Sequence, residues 1–406
     1  MKTPIEEAKA IVNRHALAPT STQVPLSEAD GLRLAADVTA TEPMPAFDNS
    51  AMDGYAVWLP DDAAETDTLT LPVIGEAQAG IPFEGRVEAG QAVKISTGAV
   101  VPDGAERVIR IEDTDEGNEA VQLHDTGRPQ DNIRFEGEEV EVGDPVADAG
   151  EPITPPLVGR LASFGVARVP VYEPPTVAVL NTGNELVDVD ADLQPGEIRN
   201  SNRYLLSSLM RETGAELGPV ESVPDRWDDT VAAIDRAADA ADMVLITGGV
   251  SVGPHDHVKG AAEEVGFERQ FWKVRQKPGK PLFFATRDDT LLFGLPGNPF
   301  SAAINAVYYA QPLVRRGLGH PQPEGQAVPA RMETPHERRK SKRAKFMLVR
   351  IEAMEKGTAI LNVVQKQRSH MLSGLHESDG FVLAPVGKDR FEPSDELEMT
   401  CFPWAD

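Results

Sequence analysis

The sequence predicts an α/β plus β, multidomain protein. A central, doubly wound and mostly parallel α/β domain follows a β-rich N-terminal domain and precedes a small C-terminal β domain. Three observations carry this reading. Between Thr176 and about Gly317, short apolar runs alternate with helical periodicities, the pattern of a parallel sheet covered on both faces. Residues 42–150 are rich in Gly, Pro and short alternating runs, the texture of a β domain. From about 330 to 406 the alternation of strands returns. A chain of 406 residues also exceeds what one ordinary core supports.

The elements follow in order. Thr3-Pro4-Ile5-Glu6 reads as a capping box with proline at the first helical position. Ile5, Ala8, Ile11 and Val12 then make one apolar face, so a helix is expected to about His15. Ala92–Ser96 and Arg107–Ile111 alternate as strands. Thr154-Pro155-Pro156 opens a helix carrying Leu157, Leu161 and Phe164, and Pro174-Pro175 punctuates the chain. Strand Thr176–Leu180 is followed by a helix over Ser201–Arg211, with Leu205, Leu206, Leu209 and Met210 inward and Gly214 as its stop. A strand ends near Val223, a helix spans Trp227–Ala240, and Met243–Ile246 and Leu291–Phe293 are further strands. Phe300–Arg315 reads as one long helix, and Gly317–Pro329 as a linker. No fixed-period repeat is present.

With 41% hydrophobic residues the chain can bury real cores. No apolar run is long enough for a membrane span, and the N-terminus is amphipathic and acidic early, unlike a secretory signal. The single cysteine, Cys401, excludes an internal disulfide framework and a cysteine-rich zinc site, and a reducing cytoplasm fits best. The net charge is −26, which repels nucleic acid and anionic membranes. Acid runs such as Asp61-Asp62 and Glu136–Glu141 are spread over the whole chain rather than confined to a tail. That distribution points to a halophilic acidic surface in a salt-rich cytoplasm.

Ligands of open α/β sheets bind beyond the carboxyl ends of the strands. Three such ends are built alike. They are Asn181-Thr182-Gly183-Asn184-Glu185, Thr247-Gly248-Gly249-Val250-Ser251-Val252-Gly253 and Gly294-Leu295-Pro296-Gly297-Asn298-Pro299. Glycines admit an anion to backbone N–H groups, and the last two loops lead into helices. None is a Walker loop or a dinucleotide GxGxxG fingerprint. Lys277-Pro278-Gly279-Lys280-Pro281 places two cations on a stiff turn, suited to a phosphate or oxyanion. Glu185 and Asp256 are carboxylates at the mouth of an anion site, which makes Mg²⁺ the natural bridging cation. His255-Asp256-His257 leaves zinc as an alternative, without a third strong ligand. Asp48–Tyr55 and Ser96-Thr97-Gly98-Ala99 are further polar knots. Arg338–Arg343 is a basic run read as a solvated loop or strand edge.

FDNSAMDGYAV, STGA, NTGNEL, TGGVSVG, KPGKP and GLPGNPFSA occur here in one order that resembles the MoeA family of molybdopterin molybdenumtransferases, shared with the E domain of gephyrin. The resemblance covers nearly the whole chain. It implies Mg²⁺-dependent insertion of molybdate into adenylylated molybdopterin, with release of AMP. It implies four domains: 1–44 with 141–173 as an elongated linker and dimerisation domain, 45–140 as an inserted β-rich domain, 174–328 as the molybdopterin-binding α/β domain, and 329–406 as a C-terminal β-barrel-like domain. It assigns Asp53, Glu185, Asp225 and Asp256 as catalytic acids, the last three also as metal ligands. Thr97, Arg134, Thr182, Gly248, Gly249, Ser251, Lys277, Lys280, Pro296, Asn298, Ser369 and Ser373 are then substrate-binding. The family pattern is departed from at Asn184, at Glu139 and at the histidines flanking Asp256. The resemblance further implies a homodimer in which Asp53 and Thr97 complete the partner's site, with other cofactor-biosynthesis proteins as candidate partners. Tungsten insertion by the same chemistry, a non-catalytic dimeric scaffold, and the separate adenylyltransferase are the rival readings.

Overall fold

Successive residues of the central strands are buried on opposite faces, and this decides the architecture. In the computed structural model, which describes residues 2–59, 69–251 and 256–405, strands β1 (Thr176–Thr182), β2 (Glu216–Val223), β3 (Met243–Thr247), β4 (Glu268–Trp272), β5 (Phe283–Arg287) and β6 (Thr290–Leu295) form one sheet. Asp61-Asp62 and the segment Val252-Gly253-Pro254-His255, with one of the two histidines of the zinc reading, lie outside the described residues. The strand order is β2-β1-β3-β6-β5-β4. The first four strands are parallel; β5 adds antiparallel to β6, and β4 antiparallel to β5.

Val177, Val179, Met243 and Leu245 pack with Leu206, Leu209 and Met210 of the helix Ser201–Glu212. Ala178, Leu180, Val244 and Ile246 pack with Ala233, Ile234 and Ala237 of the helix Trp227–Asp239. Both faces are dry, so the strands read as unbroken apolar runs rather than alternating ones. By chain contacts this sheet belongs to a unit of Met1–Gln23, Leu32–Ala35 and Pro170–Asp406.

The same unit carries a closed β-barrel. Ala344–Glu355, Thr358–Val363, Ala327–Met332, Leu397–Cys401 and Gly380–Ala384 pair in that order, and Gly380–Ala384 pairs back onto Ala344–Glu355. Met347, Val349, Leu361, Val382 and Met399 fill it. Of the basic run, Arg338 is buried and donates to the carbonyls of Lys388 and Pro385, so it is a structural bond of the barrel rather than part of a solvated loop.

The other unit, Val24–Gly31 with Ala36–Val169, holds a five-stranded sheet built around Gly54–Trp58 and Gln91–Ile95. Val38–Thr39 pairs antiparallel with Pro145–Ala147, so the chain enters and leaves the intervening β segment side by side. Among the described residues, no helix is long and apolar enough to cross a membrane.

Two further sequence expectations change. The capping box at Thr3 does not form. The helix Ile5–Arg14 has Pro4 as its N-cap with no side-chain cap. Thr3 is instead extended against another segment, its N–H donating to Lys273 O at 3.0 Å and its carbonyl accepting from Arg275 N at 2.8 Å. The long helix after β6 runs from Pro299 to Gly317, but Ala306–Ala310 is a π turn between two α segments. Pro312 explains the break: it has no N–H to offer the carbonyl four residues back, and its ring crowds that carbonyl. That carbonyl, Tyr308 O, accepts from Lys9 Nζ at 2.5 Å. The same ammonium lies 4.7 Å from the Tyr308 ring centroid and pairs with Glu324 at 2.5 Å.

Candidate functional site

Register puts the three glycine loops at one level. Asn181 pairs with Thr247 across β1 and β3, and Thr247 with Leu295 across β3 and β6. The chain therefore leaves all three strands along one edge of the sheet. Asn181 Nδ2 donates to Thr247 Oγ1 at 2.7 Å beneath that edge, both side chains being buried. Gly248 N donates to Leu295 O at 3.2 Å, joining the second loop to the third.

Gly248 and Gly249 have φ of +88° and +57°, conformations that a side chain resists. A β-carbon on Gly248 would come within 2.3 Å of Thr182 O, and one on Gly249 within 2.9 Å of Val258 Cγ2. Close approach of the surrounding atoms thus requires both glycines. Trp272 Nε1 donates to Val250 O at 2.9 Å and Lys259 Nζ to Ser251 O at 2.8 Å, so the start of this loop is held from behind. Trp272 is flanked by two ammonium groups, Lys273 at 3.6 Å and Lys259 at 4.3 Å from its ring centroid.

On the first loop, Thr182 Oγ1 donates to Asp225 Oδ1 in a short hydrogen bond. Asn184 N donates to Asp225 Oδ2 at 3.3 Å, and Asp225 N donates to Asn184 Oδ1 at 3.1 Å. Asn184 thus shares with Thr182 the task of fixing Asp225. The side chain of Glu185 is exposed and turns back over Gly183, where a β-carbon would lie 2.7 Å from Oε2. Asp256 is half-buried, and its charge acts on the Lys259 ammonium against the desolvation that lowers that lysine's pKa.

On the third loop Pro296 is buried, while Gly297 and Asn298 are exposed ahead of the helix. Asn202 Nδ2 donates to Gly297 O at 2.8 Å, whereas its Oδ1 is buried without a protein partner. Ser369 meets the helix start: its carbonyl accepts from Phe300 N at 3.1 Å. Ser373 lies on the adjoining short helix Leu372–His376.

In the lysine turn, Lys277 is exposed and Lys280 half-buried. Gln276–Lys277 pairs parallel with Ala344–Lys345, so the turn is an appendage of the barrel as well as of the sheet. Positive charge gathers here in a chain that is otherwise acidic. Lys280 is the largest cause holding the Lys2 ammonium below its ordinary pKa, with burial, Arg343 and Lys273 adding to it. Burial, then Lys277 and Arg338, lowers that of Lys345. Cations crowded this way favour an anion among them.

In the other unit, Thr97 N and Oγ1 donate to Asp53 Oδ1 at 2.7 and 2.9 Å, holding this exposed carboxyl below the usual aspartate range. Arg134 is exposed opposite Asn49 on a two-residue ladder, and Glu136 N donates to Asp48 Oδ1 at 2.7 Å. The motifs around Asp48–Asp53, Thr97 and Arg134 therefore form one surface of that unit.

Among the described residues no three His, Cys, Asp or Glu side chains come together as a metal-holding group. The oxygens of Glu185, Asp225 and Asp256 are nonetheless hard donors. They suit an open Mg²⁺ site that takes one or two carboxylates and completes its shell with water and substrate phosphate, rather than a closed protein cage.

The comparisons with known proteins agree along the whole chain. Residues 3–165 match the MoeA N-terminal region (domain I and II), 178–316 a probable molybdopterin binding domain, and 333–402 the MoeA C-terminal region (domain IV). A molybdopterin molybdenumtransferase of Haemophilus influenzae is 36% identical over 367 residues, 90% of either chain. One of Bacillus subtilis is 32% identical over 372 residues, 90% of this chain and 86% of that one. The crystal structure of a molybdopterin biosynthesis moea protein from Pyrococcus horikosii superposes with a TM-score of 0.83 and 28% identity, covering 99% of each chain. With its motifs, its domains and its relatives in agreement, the chain belongs to the MoeA family, the molybdopterin molybdenumtransferases, enzymes of molybdenum cofactor biosynthesis.

Proposed function

We propose that this protein inserts molybdate into adenylylated molybdopterin in an Mg²⁺-dependent reaction that releases AMP, working as a homodimer in the cytoplasm. The observation that supports this reading most is the common register of the three glycine loops, with Asp225 fixed beside them and a lysine turn on the same unit. Backbone N–H groups at Gly248 and Gly249, with Ser251, Pro296 and Asn298, receive the phosphates and pterin. Lys277 and Lys280 draw in the oxyanion, and Ser369 and Ser373 border it. Glu185, Asp225 and Asp256 would hold Mg²⁺, whose charge would polarise the phosphoryl group and favour departure of AMP. Water adds across the phosphoanhydride, giving AMP and the pterin phosphate, whose two thiols displace oxo ligands of molybdate and pass their protons to them, so that the oxygen leaves as water. Asp53, Thr97 and Arg134 complete the site of the partner subunit. The thiolates of the substrate require a reducing compartment, in keeping with the lone Cys401.

The test combines purified protein, molybdopterin adenylate, Mg²⁺ and either molybdate or tungstate, following AMP release. Release that needs both Mg²⁺ and the oxyanion supports the reading, and the faster oxyanion names the metal. Substrate binding without AMP release would make the chain a molybdopterin-binding scaffold. Light scattering at high salt is expected to give a dimer, and a monomer would refute the shared site.

A further inference from the structure

Behind the lysine turn lies a closed ring of uncharged hydrogen bonds that the reaction itself does not call for. Gln276, Asn305 and Tyr309 are each fully buried. Gln276 Nε2 donates to Asn305 Oδ1 at 2.6 Å and to Gly279 O at 3.2 Å. Asn305 Nδ2 donates to the same Gly279 O at 3.3 Å, and Tyr309 Oη donates to Gln276 Oε1 at 2.7 Å. None of these side-chain atoms is left without a partner. Gly279 has φ +80°, and a β-carbon there would lie 2.6 Å from Asn305 Nδ2. Its peptide is thus seated against the ring, between Lys277 and Lys280.

The ring has a cause in the chain. Asn305 ends an α segment and Tyr309 belongs to the π turn that Pro312 requires, so both face Gln276 from one side of the helix. Burial holds the Tyr309 phenol well above its ordinary pKa, so it remains a donor at any working pH. Two buried amides converging on one carbonyl, with a buried phenol bonded to the first of them, form a costly arrangement if stability alone is served, since apolar residues of equal volume would pack there.

We propose that Gln276, Asn305 and Tyr309 are positioning residues for the Lys277–Lys280 turn. They fix the Gly279 peptide and with it the separation of the two ammonium groups that receive the oxyanion. The inference rests on the reading of this turn as the oxyanion site. It places specificity for the metal oxyanion partly in a helix that does not touch it.

The decisive variant is Tyr309→Phe, which keeps the ring volume and removes one donor. Gln276→Met breaks the same network from its centre, should the first variant fold poorly, and Tyr308→Phe on the neighbouring residue is the control. Hydrogen exchange of the segment 273–283 reads the turn directly and needs no activity. It is expected to speed up about tenfold in Tyr309→Phe and to stay unchanged in Tyr308→Phe. In AMP release, the half-saturating molybdate concentration is expected to rise about tenfold, while the rate at saturating molybdate stays within about twofold. Unchanged exchange in the turn overturns the proposal. So does a fall in the saturated rate with the molybdate requirement intact, or an equal change in Tyr308→Phe. If the parent protein releases no AMP at all, the functional reading fails while the exchange result still decides the positioning role.

Discussion

Replacing Gly248 by alanine separates the demands of the loop from those of the sheet. At φ +88° the left-handed conformation costs an L-residue about 1–2 kcal/mol. The new β-carbon would also stand 2.3 Å from Thr182 O, which is backbone and cannot rotate away. Relief requires the β1 and β3 ends to part, an overpacking cost of about 1–3 kcal/mol. The sum, roughly 2–5 kcal/mol, corresponds to a melting temperature lower by roughly 5–15 °C in a unit of this size. Gly297→Ala is the matched control, because its nearest contact is Gly248 Cα at 4.0 Å. It should be neutral, or stabilising by about 0.5 kcal/mol through the unfolded chain. Calorimetry reads stability. AMP release, well below either melting point, reads function. Because Thr182 holds Asp225, Gly248→Ala should also lose activity while still folded. Equal melting temperatures for the two variants would refute the argument from close approach.

Three further outcomes are expected. Glu185→Ala should fold and melt within a degree or two of the parent, as its side chain is exposed, yet lose AMP release by about a hundredfold or more, the scale of one transition-state stabiliser; normal turnover would reduce Glu185 to a loop residue. Asp53→Asn tests linkage. Because the N–H and then the hydroxyl of Thr97 hold the folded Asp53 carboxyl below its ordinary range, its contribution is complete above the unfolded value and disappears as pH falls through the folded one. The small melting difference between parent and variant should therefore be present at neutral pH and shrink as acid protonates the carboxyl, and a difference that grows in acid would contradict the sign. Melting temperature should rise as KCl is raised from low to molar concentration, since screening relieves self-repulsion at −26, and a flat series would give the acidity another meaning.

Much of the central fold was legible because its signals are local and periodic. Val177–Leu180 and Met243–Ile246 are apolar at every position, which in a chain this polar marks a strand buried on both faces. The loop glycines were legible for the same reason: a backbone that must touch backbone tolerates little else. What escaped the sequence was long-range. Thr3-Pro4-Ile5-Glu6 fits a capping box, but pairing of Thr3 with Lys273 and Arg275 takes the residue elsewhere. The basic run at Arg338 looked solvated because nothing nearby announces the distant carbonyls of Pro385 and Lys388. Asn305 and Tyr309 left a faint trace, two polar groups four residues apart in an apolar helix, but their partner Gln276 is 29 residues from Asn305. Pro312 was the one local mark of the π turn, and its effect depends on Lys9 reaching the carbonyl it leaves behind.

That last bond bears on modularity. The segment 178–316 matches a domain model of its own. In this chain it is stitched at both sides. Lys9 closes the gap that Pro312 opens in its helix, and Ala344 and Lys345 extend the strand at Gln276–Lys277. Excised alone, it would keep its glycine loops but lose the ammonium beneath the bent helix and the neighbour beside the lysine turn. Exchange of such segments between relatives would then succeed only when the residue at position 9, the proline at 312 and the barrel's first long strand travel together. Recombination in this chain is constrained by a bond that joins its first helix to its last long one, 299 positions apart.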